Sequence, residues 1–316
     1  MQQGSLSAGG YGRRLALALL LLAGASLERA LAEPKLIEER ASTYNNIYVY
    51  KDGKDVLMTF GHNRRFYTES IYDTTNELAL PVTYTRFMTV GLAYAPAADN
   101  LLEIGFGGGR TAWYLHKHMP ALDITCVELD PAVVELAKKH FGVRPEDKFK
   151  ITVSDGRSYM VKSPETWNVI MVDAYRGPFV PFHLLTEEFY KIVKSKLKPG
   201  GVVVQNVEPT TMMFDSSVAT IQKVFPNVEV FDAGGNIVTV AYDGPRRTQA
   251  ELTARAEALQ KEHKLLYPIG AFLPERRGVK QSPGKVLTDD FAPVESLLAI
   301  EKHNRKMDEF SEPLAK

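Results

Sequence analysis

The sequence predicts an α/β protein in which a small antiparallel β-domain precedes a doubly wound, Rossmann-like sheet. Three observations carry the prediction. Leu101, Leu102 and Ile104 form a short apolar run that stops at four glycines, Gly105, Gly107, Gly108 and Gly109, with helix-forming composition behind them from Arg110 to Met119. A second apolar run, Asp123–Val127, ends at Glu128, 23 residues after Gly105. Strand and helix patterns then alternate as far as a terminal hairpin. Glycines at such a turn let backbone N–H groups approach a ligand, and an acid closing the second strand can bond both hydroxyls of a ribose.

In chain order, residues 1–32 read as an export signal. Arg13 and Arg14 precede an apolar stretch, Leu15–Leu27, and Ala30-Leu31-Ala32 offers a small-residue cleavage site, which predicts a mature start at Glu33 and a periplasmic protein. The stretch is shorter than the roughly 20 residues a membrane span needs. The exported chain is expected to be soluble or loosely membrane-associated, and an uncleaved membrane anchor is the alternative. Residues 33–80 form the β-domain: Ile47 and Val49, then Val56 and Met58, flank the turn signal Asp52-Gly53, and a third strand is expected near Phe66–Ile71.

The nucleotide-binding domain is placed at 81–245. Thr83–Tyr94 has helical spacing and is expected beneath the first sheet strand. Pro131 starts a helix to Phe141, Phe149–Val153 is a strand ending at Asp155, and Gly156–Lys162 suits a short helix. Trp167–Val172 is a strand ending at Asp173, Leu185–Leu197 an amphipathic helix, and Val202–Val207 a further strand. A helix near Ser216–Phe225 leads to the hairpin Val228–Phe231 and Asn236–Ala241. Five strand–helix units with a terminal hairpin fit the class I methyltransferase-type sheet better than the six-strand dinucleotide fold. Residues 246–316 form an appendage with a helix at Thr248–His263 and the segment LTDDFAPVE.

Charge balance, Lys+Arg 38 against Asp+Glu 38, gives no bulk field for nucleic acid. The single cysteine, Cys126, lies inside a strand and reads as a buried hydrophobe. His116 and His118, two apart on a helix, face different ways, so no metal is expected. The glycine patterns lack the Lys-Ser/Thr of a phosphate-binding loop for triphosphates. Three acids remain, Glu128, Asp155 and Asp173, all at predicted carboxyl ends of strands, where ligands of open α/β sheets bind. Glu128 suits a ribose, Asp155 an exocyclic amine, and Asp173 faces the reacting centre.

Gly105–Gly109, Val127-Glu128-Leu129-Asp130, Asp155-Gly156, Val172-Asp173 and Glu188-Phe189-Tyr190, continued by Pro199-Gly200-Gly201 and Gln205, resemble the spermidine synthase family of aminopropyltransferases. The likeness covers about residues 40–245, and LTDDFAPVE is similar to bacterial spermidine-synthase-like proteins. It implies S-adenosylmethionine or its decarboxylated form as co-substrate, a small-molecule amine or other small acceptor, and polyamine biosynthesis. It also implies cofactor binding by Gly105, Gly107, Gly108, Gly109, Glu128, Asp155 and Gly156, with Asp173 deprotonating the attacking amine. A homodimer is a further expectation for its partners.

The departures from the family point elsewhere. Gly108 stands where the family's glycine loop carries an acid, Arg176 where it has a second catalytic-loop acid, and Tyr84-Thr85-Arg86 where it has Tyr-His-Glu. Arg110, Arg176 and Arg86 would make the pocket cationic, which suits the carboxylate of intact S-adenosylmethionine; the alternative is that they point into solvent or pair with Asp130, Asp173 or Glu208. Three hypotheses follow: an aminopropyltransferase with Asp289 or Asp290 replacing the lost acids, an S-adenosylmethionine-dependent methyltransferase, and an exported binding protein without turnover.

Overall fold

Alternating apolar residues build a four-stranded antiparallel sheet, in the order β1 (Lys35–Ala41), β2 (Asn46–Asp52), β3 (Asp55–Phe60) and β4 (Thr68–Asp73). The computed structural model describes residues 33–61, 68–175, 180–207, 209 and 213–290. The expected export segment, Arg176, Glu208 and the tail from residue 291 onward lie outside them. The Asp-Gly turn closes as expected, with Asp52 opposite Asp55. Strand β1, KLIEERA, has no apolar face, so only its neighbour β2 reveals it as a strand.

Eight strands form the second sheet. They are β5 (Asn100–Ile104), β6 (Asp123–Glu128), β7 (Phe149–Val153), β8 (Trp167–Val172), β9 (Leu197–Val207), β10 (Asn227–Asp232), β11 (Ile237–Tyr242) and β12 (Arg276–Gly278). Their order is β12-β10-β11-β9-β8-β5-β6-β7. Strands β5 to β9 run parallel, while β11, β10 and β12 are antiparallel additions. The order reverses at β5, between β6 and β8, so the carboxyl ends of these three strands flank the crevice in which such sheets bind ligands. Side-chain alternation splits the core: Leu101, Ile124 and Val169 face one layer, Leu102, Val127 and Ile170 the other.

The helices are α1 (Thr83–Met88), α2 (Gly91–Tyr94), α3 (Arg110–His118), α4 (Pro131–His140), α5 (Gly156–Lys162), α6 (Glu187–Ser195), α7 (Phe214–Val224) and α8 (Gln249–His263). The single helix expected at Thr83–Tyr94 is two, because Thr89 and Val90 donate to carbonyls three residues back, breaking the α-helical register. Helix α2 packs on β8 and β9 rather than beneath β5: Gly91 lies against Val169, Val202 and Val204. Helix α4 starts where Asp130 caps the Ala132 N–H and Pro131 fills the first turn, and it ends in Lys138, Lys139 and His140. Its Val133 and Leu136, with Phe141, pack on Ile47, Val49 and Met58, which seats the small sheet against the carboxyl ends of the large one.

Candidate active site

The two sheets enclose a cavity of ≈ 290 Å³ between β4, the glycine loop and the ends of β5, β6 and β8. Gly105, Gly107, Glu128, Asp155, Gly156 and Asp173 all line it, so segments nearly 70 residues apart in the chain meet at one site. Gly108 and Gly109, expected among the cofactor contacts, do not. Gly108 is wedged between β4 and Phe141, and Gly109 lies under the Phe106 ring. Their smallness serves packing. At Gly105 the backbone is left-handed, with φ +90°, and a Cβ would strike the Asp173 carbonyl, so glycine lets β5 and β8 end side by side.

Glu128 holds the loop together. Its Oε2 accepts from the N–H groups of Phe106 at 2.9 Å and Gly107 at 3.3 Å, and its Oε1 from Asp130 N at 3.0 Å. Burial pushes its carboxyl above the ordinary value despite these donors. Asp155 caps α5 through Ser158 N at 2.8 Å, and its other oxygen lies 2.7 Å from His183 Nε2. Burial alone would raise this carboxyl, but the Ser158 N–H and His183 outweigh it and hold it below the usual range. Thr186 caps the following helix, α6, by accepting from Phe189 N, and the His183 imidazole is left to Asp155.

Asp173 directly follows the last residue of β8. Tyr84 donates its hydroxyl to Oδ2 at 3.1 Å, and Asn206 donates its amide to Oδ1 at 3.0 Å. Asn236 fixes Asn206 by donating to its Oδ1 at 3.0 Å. Burial raises the Asp173 carboxyl to about 6, with Asn206 and Tyr84 opposing. A carboxylate with that value can accept a proton from a substrate near neutral pH. Two further acids share the cavity. Glu103 is pushed up to about 8 by burial, with Asp173 adding to the effect, and its Oε2 has no partner among the described residues. Burial also raises Glu69 well above the usual range, again with Asp173 contributing, and its Oε1 is buried and unpartnered.

Among the described residues the wall is therefore acidic, and neither Arg110 nor Arg86 supplies the expected cationic lining, while Arg176 lies outside the described residues. Arg110 borders the cavity, but its Nη1 donates to Phe141 O at 2.7 Å, its Nη2 to Glu77 O, and its guanidinium stacks on Tyr72. Arg86 is turned away, donating to Leu80 O at 2.7 Å and lying over the Tyr267 ring. Asp289 and Asp290 do not replace the missing acids either. Asp289 forms a bidentate pair with Arg157, at 2.7 and 2.5 Å, and neither aspartate borders the cavity.

Sequence reasoning passed over Glu69, Glu103 and Asn206. Glu103 carried a usable signal, an acid inside an otherwise apolar strand. Glu69, on a polar strand, carried none. No group of three or more His, Cys, Asp or Glu residues fit to hold a metal occurs among the described residues. The buried Cys126 thiol, raised by desolvation and by its bond to Glu103, is a packed strand residue.

Residues 83–233 match the model of the spermine/spermidine synthase domain. The polyamine aminopropyltransferase of Vibrio vulnificus is 27% identical over 282 residues, spanning 85% of this chain and 93% of that protein. A probable spermidine synthase from Corynebacterium glutamicum has the same fold, with TM-score 0.63 and 21% identity over 81% of this chain and 97% of that one. Human methyltransferase-like protein 13, solved with SAH, has TM-score 0.53 and 26% identity over 64% of this chain and 96% of that one. The chain therefore carries, over residues 83–233, a segment that matches the spermine/spermidine synthase domain, and it is similar along most of its length to a polyamine aminopropyltransferase.

Proposed function

We propose that this protein is a spermidine-synthase-like transferase that moves an aminopropyl group from decarboxylated S-adenosylmethionine to a small amine. The single observation that carries the reading is the acidic cavity. Glu69, Glu103 and Asp173 face it, while Arg110, the one arginine or lysine among its described lining residues, is committed to two carbonyls. A sulfonium donor and an amine acceptor both bring positive charge, and buried carboxylates are the partners such groups need. The carboxylate of intact S-adenosylmethionine would find no uncommitted lysine or arginine among the described lining residues.

In this reading Glu128 bonds the ribose and Asp155 accepts from the adenine amine, with Gly105, Gly107 and Gly156 giving the nucleoside room. Asp173 takes the proton from the acceptor nitrogen, whose lone pair displaces methylthioadenosine from the aminopropyl carbon. The reaction is an in-line displacement, so positioning and proton removal supply the catalysis. Methyl transfer is the second reading, favoured by the likeness to the SAH-bound human protein. Mass spectrometry of products decides between them. Decarboxylated S-adenosylmethionine with putrescine should give methylthioadenosine and a triamine; S-adenosylhomocysteine as the product from the intact cofactor would support methyl transfer instead.

Export is part of the proposal, on the strength of the 1–32 segment. N-terminal sequencing of the native protein should read from Glu33, and an intact Met1 would remove it. No described helix is long and apolar enough to cross a membrane.

A further inference from the structure

We propose that Glu69 is the carboxylate that receives a primary ammonium group of the bound ligands, from a position on β4 rather than on the glycine loop. The inference rests on the aminopropyl-transfer reading and deepens it. Strand β4 crosses directly over the loop: Ser70 Oγ accepts from Gly108 N–H at 2.8 Å. A Cβ at Gly108 would lie 2.7 Å from Phe141 Cδ1 and 2.8 Å from Ser70 Cβ, so no acid fits on the loop at this point. The strand that takes up this space presents its own acid one residue earlier.

Glu69 borders the cavity, and its Oε1 is buried without a hydrogen-bond partner. Among the described residues no lysine or arginine pairs with it. A buried carboxyl oxygen left unbonded is destabilising, and a packing role would not need the carboxyl group. Asp173 and Glu128 are both close enough to disfavour its ionised form, so Glu69 faces the same space as the base and the loop-holding acid. An ammonium group entering that space supplies the missing donors and favours the ionised carboxylate.

Two groups carry that chemistry: the amine of the aminopropyl donor and an amine of the acceptor. Calorimetry on the full chain separates them with three probes: methylthioadenosine, which has no ammonium; decarboxylated S-adenosylmethionine; and putrescine added to the methylthioadenosine complex. Glu69→Gln should leave methylthioadenosine affinity unchanged and weaken one ammonium-bearing probe by about 10- to 100-fold. Loss for the decarboxylated cofactor assigns Glu69 to the donor, and loss for putrescine assigns it to the acceptor. Glu69→Asp, which keeps the charge, should lose less than Glu69→Gln. Unchanged binding of both amine probes by Glu69→Gln would overturn the assignment. So would an equal loss for methylthioadenosine in both variants, since Glu69 would then be structural. If the wild type itself binds neither amine probe, the aminopropyl-transfer reading fails first, before any variant is compared.

Discussion

Tyr84 and Asp173, 89 residues apart, are joined in the cavity wall by a hydrogen bond of 3.1 Å from the phenol to the carboxylate. Burial raises the pKa of the tyrosine hydroxyl well above its usual value, so Tyr84 remains a donor at every pH of interest. The bond therefore favours the ionised, proton-accepting form of Asp173. It acts against the desolvation that raises the carboxyl to about 6.

The rate of transfer should thus rise with pH through a midpoint near 6, as Asp173 loses its proton. Tyr84→Phe removes a bond to the charged form and should move that midpoint upward. Asp173→Asn should leave methylthioadenosine binding nearly intact and lower turnover by roughly 10²–10⁴-fold. A pH–rate profile for each variant checks both points, and an unshifted midpoint in Tyr84→Phe would separate the observed titration from Asp173.

Glu128→Gln should act on binding. Ribose contacts are the same in ground and transition states, so affinity for methylthioadenosine should fall by about 10- to 100-fold with a smaller effect on the chemical step. The glutamine also donates where Glu128 only accepts, which loosens the Phe106 and Gly107 N–H groups now bound at 2.9 and 3.3 Å. Comparing KM with kcat separates these effects, and unchanged affinity would take Glu128 out of the ligand site.

Gly108→Asp would restore the family's acid in sequence. It should nevertheless destabilise the fold, because the new Cβ meets Phe141 at 2.7 Å and Ser70 at 2.8 Å. Overpacking of this kind costs about 1–3 kcal/mol. Thermal unfolding is the measurement, and a variant as stable as wild type with a tighter hold on the decarboxylated cofactor would show that the loop has room after all.

Asp289→Ala should affect the site from outside. Asp289 holds Arg157, which also donates to His183 O at 3.2 Å, and His183 in turn contacts Asp155. Because the pair is partly exposed, the stability change should be under about 1 kcal/mol. KM for the nucleoside ligand should rise through the loosened His183 turn, while kcat stays close to wild type. Steady-state kinetics beside a melting curve tests this, and an unaltered KM would make the contact a surface ion pair only.

The sequence by itself determined the doubly wound sheet, its hairpin and the small β-domain. Apolar periodicity, glycine turns and capping residues act locally: Asp130-Pro131 starts α4, and Thr248 with Glu251 forms the capping box of α8. The strand-end acids Glu128, Asp155 and Asp173 were legible for the same reason, since the end of a strand can be read from its own residues. Only the tertiary structure decided the sign of the pocket. Whether Arg110 faces a ligand or two carbonyls, and whether Glu69 faces solvent or the cavity, depends on how β4 packs over the glycine loop. That packing is set by Ile47, Val49 and Met58 against Val133, Leu136 and Phe141, residues some 70 to 95 positions apart. Local pattern places each of them in a strand, a helix or the turn after it, but burial of their shared apolar surface chooses which faces meet, and with them the charge the ligand encounters.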